Sequence, residues 1–247
     1  MMRCMKAATP YEHSASWYDT IYLAQGKDYA AEAARVSELV LERVPDASSL
    51  LDVGCGTGRH LVEFALRFER TMGVDATEQY VDRARRLGLD ARVGDMRDLR
   101  VPDPFDVVVS PFSAIGHVRD GDELDMAFAS MASCLAPGGV LVVEPWFTPE
   151  QWQVGFHGVE VADGEDEILV RANRSGRDGD CSILDLAWTH VSPAGITRLD
   201  EQLRLMLFTA DRYRSALDRA GLVDVRFEDA GPGVAGRGMW IASRPTD

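Results

Sequence analysis

The chain has few lysines, no paired metal-binding motif and no long apolar run. Only Lys6 and Lys27 are lysines, so arginine supplies nearly all of the 26 cationic residues, and 40 acidic residues bring the formal net charge to −14. This charge disfavours nonspecific nucleic-acid binding, which depends on neutralising phosphates. No stretch approaches the ~20 apolar residues of a membrane helix, and the first residues lack a signal-peptide core. We therefore expect a cytoplasmic protein without a nucleic-acid or membrane partner.

The four cysteines are widely spaced along the chain. Cys4, Cys55, Cys134 and Cys181 form no CxxC pattern, and no HxxxH pattern accompanies them. Such spacing predicts neither a disulfide framework nor a zinc site. We expect ordinary reduced thiols and no bound metal.

Apolar runs alternate with amphipathic stretches along the first part of the chain. This alternation is typical of an α/β protein with a doubly wound, mostly parallel sheet and helices on both faces. Helical spacing is clearest at 30–43 and 122–135. The predicted strands lie at 49–53, 72–74, 91–93, 107–109 and 140–143.

The pattern changes after Pro145. From about 159 to 207, apolar and polar residues alternate without intervening helices, which indicates antiparallel strands. A final helix at 210–220 leads to a closing pair of strands, VDVRFED and GMWIASR. We read 1–247 as one domain, with a helical cap at 1–45 and an antiparallel insertion at about 150–207, because no linker or repeat divides it.

A glycine-rich loop follows the first predicted strand. In LLDVGCGTGRH, Gly54, Gly56 and Gly58 stand at alternate positions, where they allow a tight turn and close approach of a ligand. The dinucleotide pattern GxGxxG would need glycine in place of Arg59. Asp52 also argues against a pyrophosphate and favours a cationic ligand, although its carboxylate is equally suited to cap the following helix.

The next two strands also end in acidic residues. In MGVDAT, Asp75 and Ala76 lie where such folds hold a ribose diol, and in VGDMRDL, Asp95 and Met96 suit an adenine amine and its ring. The three strand ends meet along one edge of the sheet, where ligands of open α/β sheets bind. The combination resembles class I S-adenosylmethionine-dependent methyltransferases, with a Rossmann-like seven-stranded sheet. The alternative is a glycine-rich turn in an unrelated α/β protein.

A closer resemblance extends nearly from end to end. YEHSASWYDTIYLAQGKDYAAEA, SLLDVGCGTGRHL, GDMRDL, FSAIGHV, PGGVLVVEPWF and AGRGMW are similar to segments of the N-methyltransferases of nucleotide-linked amino sugars. These enzymes build dimethylamino sugars such as desosamine and mycaminose. The resemblance implies S-adenosyl-L-methionine as cofactor, a dTDP-linked amino-deoxysugar as substrate, and one or two N-methylations.

The same resemblance implies roles for individual residues. The cap residues Tyr11, Tyr18, Tyr29 and Glu32 would close over cofactor and sugar, and His117 would lie beside the sugar amine. The resemblance also assigns substrate contacts, with Arg237 meeting the diphosphate. The other implied substrate residues are Glu144 and Trp146, which follow the fifth predicted strand, whereas Arg237 lies in the AGRG segment.

Two segments depart from the family pattern. PWFTPE replaces the usual PWWFPE, and RANRSGRDG replaces VSHSSREG. We therefore expect Asn173, Ser175 and Arg177 to contact the nucleotide or phosphate in a different way from the family. We also expect the antiparallel insertion to pair with a second copy in a homodimer.

Simpler explanations remain for several of these residues. His117 is also explained as a satisfied structural histidine, Tyr18 and Tyr29 as hydrophobic staples, and Trp146 as core, whereas His60 is expected to be structural or solvent-facing. Arg237 stands between two glycines, which favours anion binding over packing. The alternative functions are methylation of another small amine or hydroxyl, and non-catalytic cofactor binding.

Overall fold

A computed structural model describes residues 14–228 and 237–246, and within these ranges the strands form two sheets. The first sheet has seven strands in the order β10-β11-β5-β4-β1-β2-β3. All neighbouring strands in it are parallel except the pairs made by β11. Its strands are β1 Ser49–Val53, β2 Arg70–Asp75, β3 Ala91–Val93, β4 Phe105–Ser110, β5 Leu135–Val143, β10 Val223–Glu228 and β11 Met239–Ser243. This confirms the predicted mostly parallel, seven-stranded sheet.

Helices connect the strands of this sheet. Asp28 caps α2 by accepting from the Ala31 amide, and Asp120 caps α5 in the same way through Glu123. A short 3₁₀ turn, Ala114–His117, follows β4. The α-helices are α1 Tyr18–Ala24, α2 Tyr29–Leu41, α3 Arg59–Phe64, α4 Glu78–Arg86, α5 Gly121–Ser133 and α6 Ala210–Arg219.

The central strands β1, β4 and β5 are apolar on both faces, and a separate core covers each face. Leu50 packs with the buried side chains of α2 and α3, whereas Leu51 packs with those of α5 and α6. Successive strand residues point to opposite faces. The short apolar runs in the sequence therefore reflect burial from two sides.

The second sheet is antiparallel, with the order β6-β7-β8-β9. One face packs on α1, where Ile21 joins Trp188, Leu203 and Leu205 in a buried cluster. The sheet therefore lies over the cap, and the predicted antiparallel insertion is confirmed. Its strands are β6 His157–Asp163, β7 Ile168–Asp178, β8 Cys181–Ser192 and β9 Gly195–Met206.

The cysteines differ from the sequence expectation at one position. Cys181 is disulfide-bonded, so the prediction of reduced thiols is wrong for this residue. Spacing alone did not reveal it, because a disulfide joins residues that tertiary structure brings together. Cys55 and Cys134 are free and buried, and Cys4 lies outside the described residues.

The described residues contain neither a candidate membrane span nor a candidate metal site. None of the helices in these ranges is long and apolar enough to cross a membrane. In the same ranges, histidine, cysteine and acidic side chains form no cluster that could hold a metal ion.

Candidate active site

The glycine loop connects β1 to α3 through three left-handed residues. Gly54, Gly56 and Gly58 have φ values of 78°, 54° and 86°. A Cβ at Gly54 would lie 2.4 Å from the Cβ of Ala114, and one at Gly58 would lie 2.7 Å from a methyl group of Leu89. Both the backbone conformation and the space therefore require glycine.

Asp75 holds this loop against the end of β2. Its carboxylate accepts from the amides of Gly56 and Thr77, at 2.9 Å and 2.8 Å. Ala76, the next residue, is exposed. The turn after β2 is thereby fixed beside the glycines.

Asp52 is fully buried at the base of the loop. Both of its carboxylate oxygens lack a hydrogen-bond partner among the described residues, so it does not cap α3. Burial, with a smaller contribution from Asp75, raises the pKa of Asp52 to about 8. An unpaired carboxylate of this kind favours a nearby cation.

Asp95 and Met96 follow β3, as predicted. Arg97 donates to both carboxylate oxygens of Asp95 through its side chain, and this pairing is the main reason that the pKa of Asp95 is lowered. Arg97 also donates to Glu123, at 2.6 Å. Asp95 therefore stays ionised at the rim of the sheet edge.

A cavity of about 370 Å³ lies along these strand ends, and we call it the strand-end cavity. Seven of the residues predicted to contact the cofactor and His117, predicted to lie beside the sugar amine, come together in its wall. These wall residues are Tyr18, Gly54, Gly56, Asp75, Ala76, Asp95, Met96 and His117. Asp52 and Gly58 lie behind the loop and do not form the wall.

A second cavity of about 470 Å³ lies under the cap, and we call it the cap cavity. The turn between α1 and α2 forms one wall, β8 and β9 form another, and Trp146 and Arg237 also line it. Tyr18, Phe112 and His117 border both cavities. A group placed at these three residues would face both spaces.

His117 ends the 3₁₀ turn and faces both cavities. Burial lowers the pKa of its imidazole to about 4. The ring is therefore neutral at physiological pH. A neutral imidazole between two cavities can accept or donate a hydrogen bond without adding a charge.

Glu144 and Arg237 form a buried pair beside the cap cavity. Arg237 Nε lies 3.2 Å from Glu144, which also accepts from the Phe112 amide at 2.6 Å. The guanidinium lies 5.0 Å from the ring centroid of Trp146. Burial raises the pKa of Glu144, although Arg237 opposes this shift. Glu144 lies behind Arg237 and does not line either cavity.

Trp146 is fixed by a hydrogen bond as well as by packing. Its indole Nε1 donates to Ser182 Oγ at 2.9 Å. The ring therefore keeps its polar edge against β8 and borders the cap cavity with its apolar surface. It is neither fully buried nor simply a core residue.

Several predicted site residues lie elsewhere. Tyr29 packs against His60 at a centroid distance of 4.9 Å and does not line either cavity. Asn173 donates to Glu160, Ser175 donates to the Gln153 carbonyl, and Arg177 donates to the Gly179 and Pro149 carbonyls. These contacts use the three side chains within the second sheet and its loops, away from both cavities. Tyr11 lies outside the described residues.

Lys27 and Phe112 are site residues that the sequence analysis missed. Lys27 Nζ lies 2.6 Å and 2.7 Å from the two Glu32 oxygens and 3.7 Å from the centroid of the Phe112 ring. Phe112 has a positive φ of 52°, and no sequence pattern predicts this conformation. Of these two residues, only Lys27 could have been singled out from the sequence, because the chain has just two lysines.

Three hydrogen bonds from two acidic side chains tie the cap to the glycine loop and the start of α3. Asp19 of α1 accepts from Thr57 Oγ1 at 2.6 Å and from Arg59 Nε at 2.9 Å. Glu32 of α2 lies 2.7 Å from His60 Nε2. His60 is buried, so it is structural and not solvent-facing.

The strand-end cavity fits S-adenosylmethionine. Gly54 and Gly56 line it without a side chain, and the buried Asp52 beneath the loop has no hydrogen-bond partner among the described residues. Acidic side chains at two further strand ends can accept from hydroxyl and amine groups of an adenosine. The fold and this cavity together define a class I S-adenosylmethionine-dependent methyltransferase.

Comparison with known proteins identifies the family. Residues 50–139 match the model described as "Methyltransferase domain". The dTDP-3-amino-3,4,6-trideoxy-alpha-D-glucopyranose N,N-dimethyltransferase of Streptomyces venezuelae is 40% identical, with the match covering 91% of this chain and 94% of the relative. The chain therefore belongs to the family of sugar N-methyltransferases that includes this enzyme, as the motifs had suggested.

Solved structures agree. DesVI of Streptomyces venezuelae superposes with a TM-score of 0.88 at 37% identity, covering 98% of this chain and all (100%) of that structure. CalS10, an amino pentose methyltransferase of Micromonospora echinaspora solved with bound SAM, gives a TM-score of 0.85 at 35% identity, covering 92% and 96% of the two chains. The cofactor of the present chain is S-adenosylmethionine.

Proposed function

We propose that the chain transfers methyl groups from S-adenosylmethionine to the amino nitrogen of a dTDP-linked amino-deoxysugar. The observation that carries this proposal is the position of His117, which borders both the strand-end cavity and the cap cavity. The relative from Streptomyces venezuelae, an N,N-dimethyltransferase by name, adds support because the similarity covers nearly the whole of both chains.

In this proposal, the strand-end cavity holds the cofactor, which supplies an electrophilic methyl group on a sulfonium. Gly54 and Gly56 let it approach the backbone, Asp75 accepts from the ribose hydroxyls, and Asp95 with Met96 binds the adenine. A cationic group nearby would favour the ionised form of Asp52 beneath the loop. Tyr18 turns its ring toward the cavity, where an aromatic face attracts a cation by about 0.5 to 2 kcal/mol.

His117 then positions the substrate amine. Methyl transfer requires a neutral amine in line with the sulfonium and develops no oxyanion. Keeping an amine neutral costs about 1.4 kcal/mol for each unit by which its pKa exceeds the pH, whereas alignment contributes roughly 7 to 11 kcal/mol. An imidazole with a pKa of about 4 holds a proton weakly. Its main contribution is therefore a hydrogen bond that orients the amine.

Arg237 and Trp146 anchor the rest of the substrate in the cap cavity. The guanidinium presents positive charge to the diphosphate, and Glu144 fixes its orientation from behind. A single arginine in a pocket is compatible with the net charge of −14, because a diphosphate responds mainly to the charges nearest to it. The homodimer, the cytoplasmic location and the lack of a nucleic-acid partner stay predictions.

Mass spectrometry tests the proposed reaction directly. The protein is incubated with S-adenosylmethionine and a panel of dTDP-amino-deoxysugars, and we expect gains of one or two methyl masses. The matched control replaces the amine by a hydroxyl group on the same sugar and should gain no mass. Cofactor binding by calorimetry without methylation of any amino sugar would contradict the proposal and favour a non-catalytic role.

A further inference from the structure

Strand β9 of the second sheet borders both cavities with alternate side chains. Leu203 and Leu205 lie on the face that packs on α1, and they line the cap cavity. Gln202 and Arg204 alternate with them along the strand and line the strand-end cavity. Because successive side chains of a strand point to opposite faces, one strand of the antiparallel insertion contributes to the walls of two different cavities.

Arg204 is held in place by neighbours on the second sheet. Its Nη2 donates to Asp178 at 2.7 Å, and its Nη1 donates to the side-chain oxygen of Gln202 at 3.1 Å. Gln202 in turn donates to Asp185 at 2.8 Å. The side chain of Arg204 is 19% exposed, and its Nε has no hydrogen-bond partner among the described residues. The guanidinium is therefore fixed, and it keeps N–H donors that no described contact uses.

The 3₁₀ turn that ends at His117 packs on two different elements. Near its start, a Cβ on Gly54 would lie 2.4 Å from the Cβ of Ala114, so this part of the turn lies against the glycine loop. Near its end, a Cβ on Gly116 would lie 3.1 Å from a methyl group of Leu205. Strand β9 therefore meets the turn at the end that is farther from the glycine loop.

Hydrogen bonds tie the residues after this turn to the end of β3. The amide of Arg119 donates to Glu123 at 2.9 Å, and the side chain of Arg97 donates to the same carboxylate at 2.6 Å. Arg97 also donates to Asp95, which follows β3. The end of the turn thus leads to the end of β3, and Arg204 lines the cavity beside this end.

We infer that Arg204 binds the adenine of S-adenosylmethionine, so that the antiparallel insertion is part of the cofactor site as well as a wall of the cap cavity. The inference rests on the proposed function, in which Asp95 and Met96 bind the adenine in the strand-end cavity. Adenine presents ring nitrogens that accept hydrogen bonds and a flat π face. A guanidinium is a planar, charged group that offers only donors and stacks on aromatic faces.

Two other arginines line the same cavity but are bound to carboxylates of its wall. Arg97 donates to Asp95 and Glu123, and Arg119 donates to Glu123, and both of these acids line the cavity. The carboxylate partner of Arg204 is Asp178, which does not line it. Within the described part of the wall, Arg204 is therefore the arginine whose charge is not balanced by an acid of the same wall.

Calorimetry with S-adenosylhomocysteine and with adenosine tests this contact. Arg204→Met removes the guanidinium and keeps an unbranched side chain, so the Kd of S-adenosylhomocysteine should rise by roughly 3- to 30-fold. Adenosine lacks the amino-acid part of the cofactor but carries the same base, so its Kd should rise by the same factor. The Kd of dTDP, which the proposal places in the cap cavity, should change by less than about twofold.

Arg198→Met is the matched control. Arg198 lies on the same face of β9, is exposed, and lines neither cavity. Both substitutions remove one positive charge from the same strand, so a general electrostatic effect would appear in both variants. We expect Arg198→Met to leave the Kd of S-adenosylhomocysteine within about twofold of the unaltered protein.

Each other outcome would overturn the contact. Weaker binding of S-adenosylhomocysteine with unchanged binding of adenosine would place Arg204 at the amino-acid part of the cofactor. Unchanged affinities in Arg204→Met, or an equal loss in Arg198→Met, would remove Arg204 from the cofactor site. If Arg204→Met does not fold, Arg204→Lys takes its place, because lysine keeps the charge and lacks the planar group. An unchanged Kd of S-adenosylhomocysteine in that variant would contradict the contact in the same way.

These measurements separate the contact from the proposed reaction, because none of them uses an amino sugar. A protein that binds the cofactor through Arg204 but methylates no amino sugar would refute only the proposed function. A protein that methylates an amino sugar and binds S-adenosylhomocysteine equally well without Arg204 would refute only this inference.

Discussion

The strand-end cavity and the cap cavity share three residues, yet they are assembled in different ways. The first is formed mainly by consecutive strand ends of one parallel sheet, where short sequence motifs act locally. The second combines the α1–α2 turn, two strands of the second sheet and Arg237. Backbone geometry therefore governs the first cavity, and side chains from distant segments govern the second.

Among the substitutions that test this difference between the cavities, we expect the largest loss of function from one at Gly54. Gly54→Ala places a Cβ 2.4 Å from that of Ala114, so the loop must shift. A displacement of this size costs about 100-fold or more in function, and we expect a similar loss of affinity for S-adenosylhomocysteine, measured by calorimetry.

Gly88→Ala is the matched control. Gly88 has a similar φ of +83°, but a Cβ there meets nothing within 4 Å. Both substitutions carry a backbone strain of about 1–2 kcal/mol, so Gly88→Ala controls for the effect of such strain away from the cavity. Equal losses of cofactor affinity in the two variants would mean that loop geometry does not govern the strand-end cavity.

Arg237→Ala should weaken binding in the cap cavity without changing binding in the strand-end cavity. Loss of a charge-assisted contact predicts a rise in KM for the dTDP-amino sugar of about tenfold or more, with the cofactor KM unchanged. Arg177→Ala is the control, since Arg177 lies away from both cavities and should change either KM by less than about twofold. A rise in both KM values for Arg237→Ala would show that the cavities are not independent.

His117→Asn tests the role of the histidine that borders both cavities. We expect kcat to fall about tenfold near neutral pH, less than the roughly 10²–10⁴-fold of general acid–base catalysis, and to recover as the substrate amine loses its proton at higher pH. Because the pKa of His117 is about 4, the unaltered enzyme should show no ionisation of this ring between about pH 6 and about pH 9. Total loss at every pH in a folded variant would refute positioning as its role.

The smallest effect concerns the stability contributed by Asp52. Its pKa rises from 3.8 to about 8 on folding, so the folded protein holds this proton more tightly than the unfolded chain. The associated stability is present below about pH 3.8 and is lost as the pH rises through about 8. Asp52→Asn should therefore gain a few degrees in Tm over the unaltered protein as the pH rises through this range.

Asp106 provides a control of opposite sign. Burial alone would raise its pKa, but hydrogen bonds from Ser48 and Ser49 outweigh burial and lower it. Asp106→Asn should therefore lose stability at neutral pH, and the loss should vanish in acid. Thermal melts of cofactor-free protein check both variants, and parallel curves for Asp52→Asn and the unaltered protein would contradict the assignment.

The sheet was predictable because burial on both faces produces apolar runs. The end of α5 and the start of β5 were harder to predict from the sequence. The prediction placed this strand at 140–143, whereas β5 begins at Leu135. Pairing with β4 shifts register between Phe105 and Val107, which lets Pro137 and the two following glycines lie within the strand. Such a local irregularity has no apolar pattern.

The candidate site was predictable where one motif sets the geometry. Gly54, Asp75 and Asp95 each follow a strand, and their spacing placed them correctly. Lys27 and the Glu144–Arg237 pair depend on contacts between segments far apart in sequence. Asn173 lies in a segment that departs from the family pattern, and its amide donates to Glu160 on the neighbouring strand, a contact that no motif predicts.

The scarcity of lysine makes Lys27 a chemical reporter. An amine-selective reagent meets only two lysine side chains in this chain, and that of Lys27 is 6% exposed with its Nζ held by Glu32. Acylation of Lys27 therefore requires the reagent to enter the cap cavity or the cap to open. Its rate, compared with that in the unfolded protein, measures how often Lys27 becomes accessible in solution.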